Sequence, residues 1–488
     1  MIFSTPAFLF LFLPPVLLIS LLLKREAQNA FLLLASLAFY ACGEGGWMLL
    51  LLGSALFNHA CARLIERCRG GRRRAALGAG LAVNLGSLAS GKYSAFILAN
   101  LGLAAGNTVG GHQPLGISFF TFMAVAYLVE VHRGAVPAER RFQRTALFIA
   151  FFPTVLAGPI NRYSRLREQL AERRATWAGR GEGVRRFILG LAKKVLLADT
   201  LGRAVDAVFA VPGAGLTAPL AWLGAAAYTL QIYLDFSGYS DMAIGLGRMF
   251  GFTFMENFAY PYGARSIKEF WDRWHVSLSS WLRDFVFLPL AYAVSRRLPG
   301  DRWLGVRADA WCYYPAMLLT MLLCGLWHGA AWTFVAWGLW HGAFLMLERL
   351  ALRRLLRRLR PFLQRAYVLL VIGFGWVLFR AADFSQTTAF WRAMIGLGQG
   401  DGRRYHPGLY VNGPVIAALA IGALISLPFL PALRAAWEGA CARLGGAARL
   451  WLQAGRQALG LAVLASLLLA SILAMAAATF NPFIYFRF

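Results

Sequence analysis

Apolar runs of roughly 15 to 25 residues, the length that crosses a bilayer as a helix, recur along the chain between short arginine-rich stretches. They fall at 3–23, 31–42, 47–62, 75–90, 115–131, 218–234, 313–327, 330–347, 367–379, 411–430 and 459–478. Two more, 93–105 and 147–160, are short and broken by glycine or proline. The pattern predicts an all-α polytopic membrane protein with about 10–12 transmembrane helices plus re-entrant and interfacial ones. The stretch 147–160 carries Pro153 and the pair Gly158-Pro159 between two basic runs that both belong on one side. Irregular backbone at membrane depth survives only where protein or a cavity satisfies its polar groups, so this stretch is predicted to be re-entrant and cavity-lining. The plainer alternative is a short ordinary helix with one misplaced basic loop.

Composition agrees: of 488 residues, 59% are hydrophobic and 15% charged. A formal charge of +27 raises the question of nucleic acid. The arginines, however, cluster at 24–25, 63–74, 162–186, 296–307, 349–365 and 434–456, between apolar runs and without a surrounding aromatic surface. That is the positive-inside pattern of cytoplasmic loops. Both termini then lie outside, and the number of crossings is even. The N-terminus lacks a basic leader and a small-residue cleavage site, so it is expected to be a retained first span. Six cysteines without a CxxC pair indicate neither a disulfide framework nor a zinc site. No polar segment is long enough for a separate soluble domain. Residues 1–488 are expected to form one membrane domain, with a core at about 115–348 and C-terminal helices at 366–488.

The hexapeptide Gly-Leu-Trp-His-Gly-Ala occurs at 325–330 and again at 338–343, which puts His328 and His341 in apolar surroundings. An ionisable residue inside a membrane segment is costly and marks a functional site by default. On one continuous helix the two histidines would differ by roughly 220° and about 20 Å, too far to share a small site. The run 313–327 covers only about 22 Å as a helix, short of a hydrocarbon core of roughly 30 Å. His328 is therefore expected in the outer half of the membrane, where a neutral imidazole can serve as general base. His341 is expected nearer the cytoplasm, as a hydrogen-bonded scaffold residue with Gly342 permitting close helix approach.

The main polar block runs from Asp235 to Leu290. Asp235 to Asp241 is expected to end an apolar span. From Lys268 to Asp284, helical spacing places Trp271, Trp274, His275, Leu278 and Leu282 on one face, with Asp272 three residues before His275 and able to orient it. An interfacial helix without catalysis has the same look.

The chain resembles the membrane-bound O-acyltransferases, in particular the branch of the bacterial alginate O-acetyltransferase membrane component. The resemblance rests on Gly116 to Phe122, Phe151-Phe152-Pro153 with Ala157 to Ile160, Gln231 to Ala243, Glu256-Asn257-Phe258 with Tyr260-Pro261-Tyr262, Trp271 to Asp284, Gly325 to Gly329 and Asn481 to Phe486. It implies that His328 is the intramembrane catalytic histidine and that His275 is a second polar position near it. It further implies a central tunnel in which a cytoplasmic donor, acetyl-CoA, meets an acceptor from the other face. Trp327, Asp235, Tyr239, Asp241, Asp272, Trp274 and Ser279 are expected to support that tunnel, and His341 and Arg273 to lie on the donor side. Also implied are a bacterial inner-membrane location, no bound cofactor, and a periplasmic acetyltransferase partner of the SGNH-hydrolase-like type that passes the acetyl group to a polysaccharide. The chain departs from the branch after Phe287-Leu288-Pro289-Leu290, where Ala291 to Arg297 replaces a Gly-Gly-Asn-Arg loop. That puts alginate itself in question and leaves peptidoglycan or another envelope polymer open.

A transporter using intramembrane His and Asp is the reading from another class, but no inverted repeat of the kind such proteins show is present. A metal site from Asp272, His275 and His328 lacks a clear fourth ligand. Neither a metal nor nucleic acid is expected as a partner.

Overall fold

The computed structural model describes residues 1–103, 113–173, 175–298, 300–304, 306–443 and 445–477. The end of the 93–105 run, the Asn481 to Phe486 motif and the predicted external C-terminus fall outside the described residues. The described chain is helical, apart from a two-residue antiparallel ladder pairing Arg302–Trp303 with Val306–Arg307. It divides into two compact units. The first holds Met1–Phe187 and Tyr239–Glu256, the second Ile188–Gly238 and Asn257–Phe488.

In the first unit the apolar runs become the helices Arg25–Glu44, Met48–Arg67, Gly70–Leu88 and Ile117–Arg133. The last of these starts at Gly116, whose φ of 78° and approach to Val155 leave no room for a side chain: a Cβ would lie 2.1 Å from the Val155 carbonyl oxygen. It ends at Gly134, a left-handed cap that releases the chain into the loop. The predicted re-entrant stretch is a bent element. A nine-residue helix, Phe142–Ala150, breaks at Phe151, restarts as one turn over Phe152–Val155 and turns back at Gly158 with φ 113°. Nine residues span only about 14 Å. Residues 147–160 are all buried, and the Phe152 N–H freed by the break donates to Ser36 Oγ at 3.1 Å. The broken backbone is thus satisfied by protein.

One long helical run had no counterpart in the apolar pattern. Trp177–Ala192 continues through a π turn, Lys193–Ala198, into Asp199–Phe209. Its charges hid it from a hydropathy reading. In the second unit Lys194, 3% exposed, donates to Asp199 (2.6 Å) and Asp235 (3.0 Å). This pairing also explains why the apolar span 218–234 does not stop at Asp235, as expected, but continues as α1 (Ala218–Met249). A buried carboxylate held by a cation no longer has to end the helix.

The second unit carries α2 (Ile267–Arg273), α3 (Val276–Leu282), α4 (Ala308–His328), α5 (Trp332–Leu347) and α6 (Pro361–Arg380). The segment that replaces the glycine-rich loop stays helical through Leu288–Ser295. By length and hydropathy, Ala27–Arg67, Ala308–His328, Pro361–Arg380 and Gly446–Ala477 suffice to cross a bilayer, with shorter apolar helices at Ala7–Leu22 and Gly413–Ile425. The chain breaks at Gly329, and α4 and α5 fold into a hairpin. Glycine fixes their closeness. A Cβ on Gly325 would sit 2.2 Å from the Phe334 carbonyl oxygen, and one on Gly338 2.2 Å from that of Met321. These are the first residues of the two hexapeptide copies, so the repeat packs on itself.

Candidate functional site

Apart from Tyr239 and Asp241, every expected site residue belongs to the second unit. His328 closes α4 and is 2% exposed. Its Nδ1 lies 2.7 Å from the Cys324 carbonyl oxygen one turn earlier. A carbonyl can only accept, so Nδ1 carries the hydrogen and the neutral ring keeps its lone pair on Nε2. The ring is boxed by Trp327 (4.9 Å between centroids), Trp337 (4.8 Å) and Phe379 (5.3 Å).

His275 is fully buried, and its setting corrects the expected continuous helix. α2 ends at Trp274, and His275 adopts a left-handed backbone, φ 43° and ψ 53°, before α3 begins. A non-glycine residue in that region costs about 1–3 kcal/mol and persists only when its surroundings impose it. Asn257 imposes it. The Asn257 carbonyl accepts Val276 N–H at 3.0 Å. Its side-chain Oδ1 accepts Ser277 N–H (3.2 Å), Ser277 Oγ–H (2.8 Å) and His275 Nδ1–H (3.0 Å). The Ser277 backbone N–H can only donate, which identifies the Asn257 atom as the oxygen and therefore places the His275 hydrogen on Nδ1. Nε2 of His275 is again the lone-pair nitrogen, buried and without a hydrogen-bond partner among the described residues. The ring stands edge-on to Phe236 at 4.6 Å and lies 5.8 Å from Trp327, the same indole that borders His328.

Asp272 does not orient His275. It is largely exposed and pairs with Lys268 at 2.7 Å, because the break at Trp274 removes the helical register that would have stacked it on the histidine. Trp274 stacks on Phe270 at 5.5 Å and lies 5.0 Å from both Phe258 and Trp376, as part of the wall. Ser279 receives its cap from the turn: its N–H donates to the His275 carbonyl (2.9 Å) and its Oγ–H to that of Trp274 (3.1 Å). Arg273 pairs with Glu269, one turn back. Asp235 is engaged by Lys194. Tyr239 and Asp241 belong to the first unit, where Tyr239 stacks on Phe3 at 4.8 Å and Asp241 pairs with Arg186 at 2.9 Å.

His341 departs most from expectation. The hairpin brings it to 5.0 Å from Trp337, the ring that also borders His328, so the two histidines flank one indole instead of lying about 20 Å apart along a single helix. It was expected to be hydrogen-bonded. Neither of its nitrogens has a partner among the described residues, and Trp271 (5.3 Å) and Phe270 (6.1 Å) complete its aromatic surround.

Chemically, the unit presents two neutral imidazoles, each with Nδ1–H tied to an oxygen and a lone pair on Nε2. Such groups take protons from hydroxyls. Asn257 was missed as a site residue because an isolated asparagine carries no spacing signal; only its place in Glu256-Asn257-Phe258 singled out the segment.

Comparison with known proteins bears on what those groups act upon. Residues 141–381 match the model of the membrane-bound O-acyltransferase family. The chain is 38% identical over 504 residues to a probable alginate O-acetylase of Pseudomonas putida, with both chains covered completely. It is 41% identical over 409 residues to a probable alginate O-acetylase of Pseudomonas aeruginosa, covering 82% of this chain and 75% of that one. It is 33% identical over 437 residues to a peptidoglycan O-acetyltransferase of Helicobacter pylori, covering 81% and 80%.

Proposed function

The chain belongs to the membrane-bound O-acyltransferase family and is a multi-pass membrane O-acyltransferase, and from that premise we propose that it transfers an acetyl group from cytoplasmic acetyl-CoA to a hydroxyl presented at the periplasmic side of the bacterial inner membrane. In this reading both termini are periplasmic. A periplasmic partner of the SGNH-hydrolase-like type takes the acetyl group and passes it to an exopolysaccharide such as alginate. The full-length similarity to alginate O-acetylases favours that polymer. The 33% identity to a peptidoglycan O-acetyltransferase keeps peptidoglycan as the second candidate.

In the reaction, His328 Nε2 accepts the hydroxyl proton as the acceptor oxygen attacks the thioester carbonyl. The tetrahedral intermediate collapses, the carbon–sulfur bond breaks, and the proton passes from His328 to the departing thiolate. Acetyl ester and free thiol result, with no net proton change. His275, with its hydrogen committed to Asn257, offers a lone pair and not a donor. Its role is to accept a hydrogen bond from a donor of the substrate other than the reacting hydroxyl, whose one hydrogen goes to His328, and so to orient the substrate. The observation that carries the reading is the 2.7 Å bond from His328 Nδ1 to the Cys324 carbonyl, which holds Nε2 basic.

The test is label transfer from acetyl-CoA by purified protein. His328→Ala is expected to lose at least about 100-fold in rate, the usual scale of a general base. His328→Ala with undiminished transfer and an intact fold would sink the mechanism.

A further inference from the structure

Five cations, Arg265, Lys268, Arg349, Arg353 and Arg357, line a cavity of about 680 Å³ in the second unit. Two acids share it, and both are engaged. Glu348 accepts the backbone N–H groups of Ile267 (2.6 Å) and Lys268 (3.2 Å). Asp309 pairs with Arg307 (3.1 Å) and Arg349 (3.3 Å). Lys268 is taken by Asp272, and Arg349 also lies over the Tyr313 ring at 4.0 Å. Arg265, Arg353 and Arg357 remain without an ion-pair partner among the described residues.

Their arrangement is not what helix formation favours. Arg349, Arg353 and Arg357 recur every four residues through Glu348–Leu352 and Arg353–Arg358, and like charges at that spacing repel on one face. An anion in the cavity relieves the repulsion. Guanidinium forks match phosphate oxygens in pairs, and such charge-assisted bonds are the strong ones.

A second, smaller cavity of about 350 Å³ adjoins it, with Lys268, Tyr313 and Leu345 lining both. The smaller cavity is lined by Met317, Met321, Thr320, Ser279 and Ser280 and by Val276, the residue after His275. A basic chamber thus adjoins a smaller, mainly apolar groove that comes up against the turn carrying His275. This juxtaposition fits a ligand with a phosphate-rich head and a thin arm.

The geometry points to Arg265, Arg353 and Arg357 as the residues that bind the phosphates of a nucleotide-type thioester and so distinguish it from the same thioester on a bare pantetheine arm. The inference rests on the reading of acetyl-CoA as donor and adds where, and by which groups, it is selected. An anionic lipid headgroup offers the same phosphate chemistry, so the experiment separates the two sources.

Wild type, Arg353→Ala/Arg357→Ala and Arg265→Gln are purified into phosphatidylcholine nanodiscs and checked for an unchanged melting profile. Coenzyme A binding is measured by equilibrium dialysis, beside initial rates with acetyl-CoA and with S-acetyl-pantetheine. In the double variant, Kd for coenzyme A and KM for acetyl-CoA should rise together by roughly 10- to 100-fold, as expected for lost charge-assisted bonds. The kcat should stay within about twofold and the pantetheine rates should not change. Arg265→Gln, on a separate element, should show the same selective loss in smaller measure. Wild-type Kd and KM in the variants would overturn the assignment. So would an effect that appears only when anionic lipid is added to the discs, which would give the cavity to a headgroup. Wild-type protein that neither binds coenzyme A nor uses acetyl-CoA would overturn the donor reading itself, a result distinct from the other two.

Discussion

Replacing Asn257 by alanine tests the logic of the site at a residue that does not react. Its Oδ1 accepts three hydrogen bonds, and Asn257 is only 1% exposed, so the substitution orphans three buried donors at once. At about 1–3 kcal/mol for each buried donor left unpaired, the fold should lose about 3–9 kcal/mol. The catalytic effect is separate. Freed from Asn257, the His275 ring regains rotamer freedom worth about 1 kcal/mol and is no longer held with its hydrogen on Nδ1. Together these should raise the barrier by about 1–2 kcal/mol, roughly a 5- to 30-fold loss in kcat/KM. The assay is acetyl transfer by purified Asn257→Ala, His275→Ala and the double variant, each below its melting temperature. If Asn257 acts through His275, the double variant should be no slower than His275→Ala. Asn257→Asp, which keeps all three acceptor contacts, should retain most of the stability. Losses that multiply independently in the double variant would refute the claim that Asn257 positions His275.

Three further outcomes follow from the packing. Gly325→Ala and Gly338→Ala should each abolish or sharply reduce folded protein, because a Cβ at 2.2 Å from a carbonyl oxygen forces the hairpin apart at a cost of at least about 1–3 kcal/mol; detergent-phase melting and yield report it. Lys194→Met leaves the buried Asp235 and the partly exposed Asp199 without their cation and should cost about 3–5 kcal/mol, while Lys194→Met/Asp235→Asn should recover part of the loss in the same melting assay. Burial alone would raise the Glu139 carboxyl, but N–H of Arg141, the Tyr163 hydroxyl, Arg144 and N–H of Arg140 outweigh it and hold the group below its ordinary range. A folded pKa below the unfolded one contributes stability that is present above the usual carboxylate range and is lost as pH falls through the folded value, so Glu139→Gln should lower the melting temperature at pH 7 and narrow its gap to wild type under acid.

Much of the helical frame is legible in the apolar runs, since the rule relating run length to bilayer thickness is local. The irregular backbone of 147–160 was legible from its own residues: proline and glycine favour a bend, and the structure bends at Phe151 and Gly158. The helical run through Lys194 was not, because hydropathy scores a lysine as exposed when its carboxylate partner, Asp235, lies 41 positions further along the chain. The break between Trp274 and His275 escaped notice because its cause, Asn257, is 18 residues upstream while the local spacing is helical throughout. The distance drawn between His328 and His341 assumed one helix, whereas Gly329 ends α4 and the chain reverses. In the first two cases the deciding contact is long-range, and periodicity reports only neighbours on one element.

The glycine contacts between α4 and α5 also limit how the site can move. Backbone meets backbone at Gly325 and Gly338, with no side chain between them to slide or re-pack. Shear between packed helices proceeds by small rotamer adjustments at the interface, and at these two contacts there is none to make. The hairpin must therefore travel as a single lever, with the spacing between His328, Trp337 and His341 preserved through any opening that admits donor or releases thiol. Motion at that step is left to the elements around the hairpin, and a crosslink joining α4 to α5 should leave turnover unchanged.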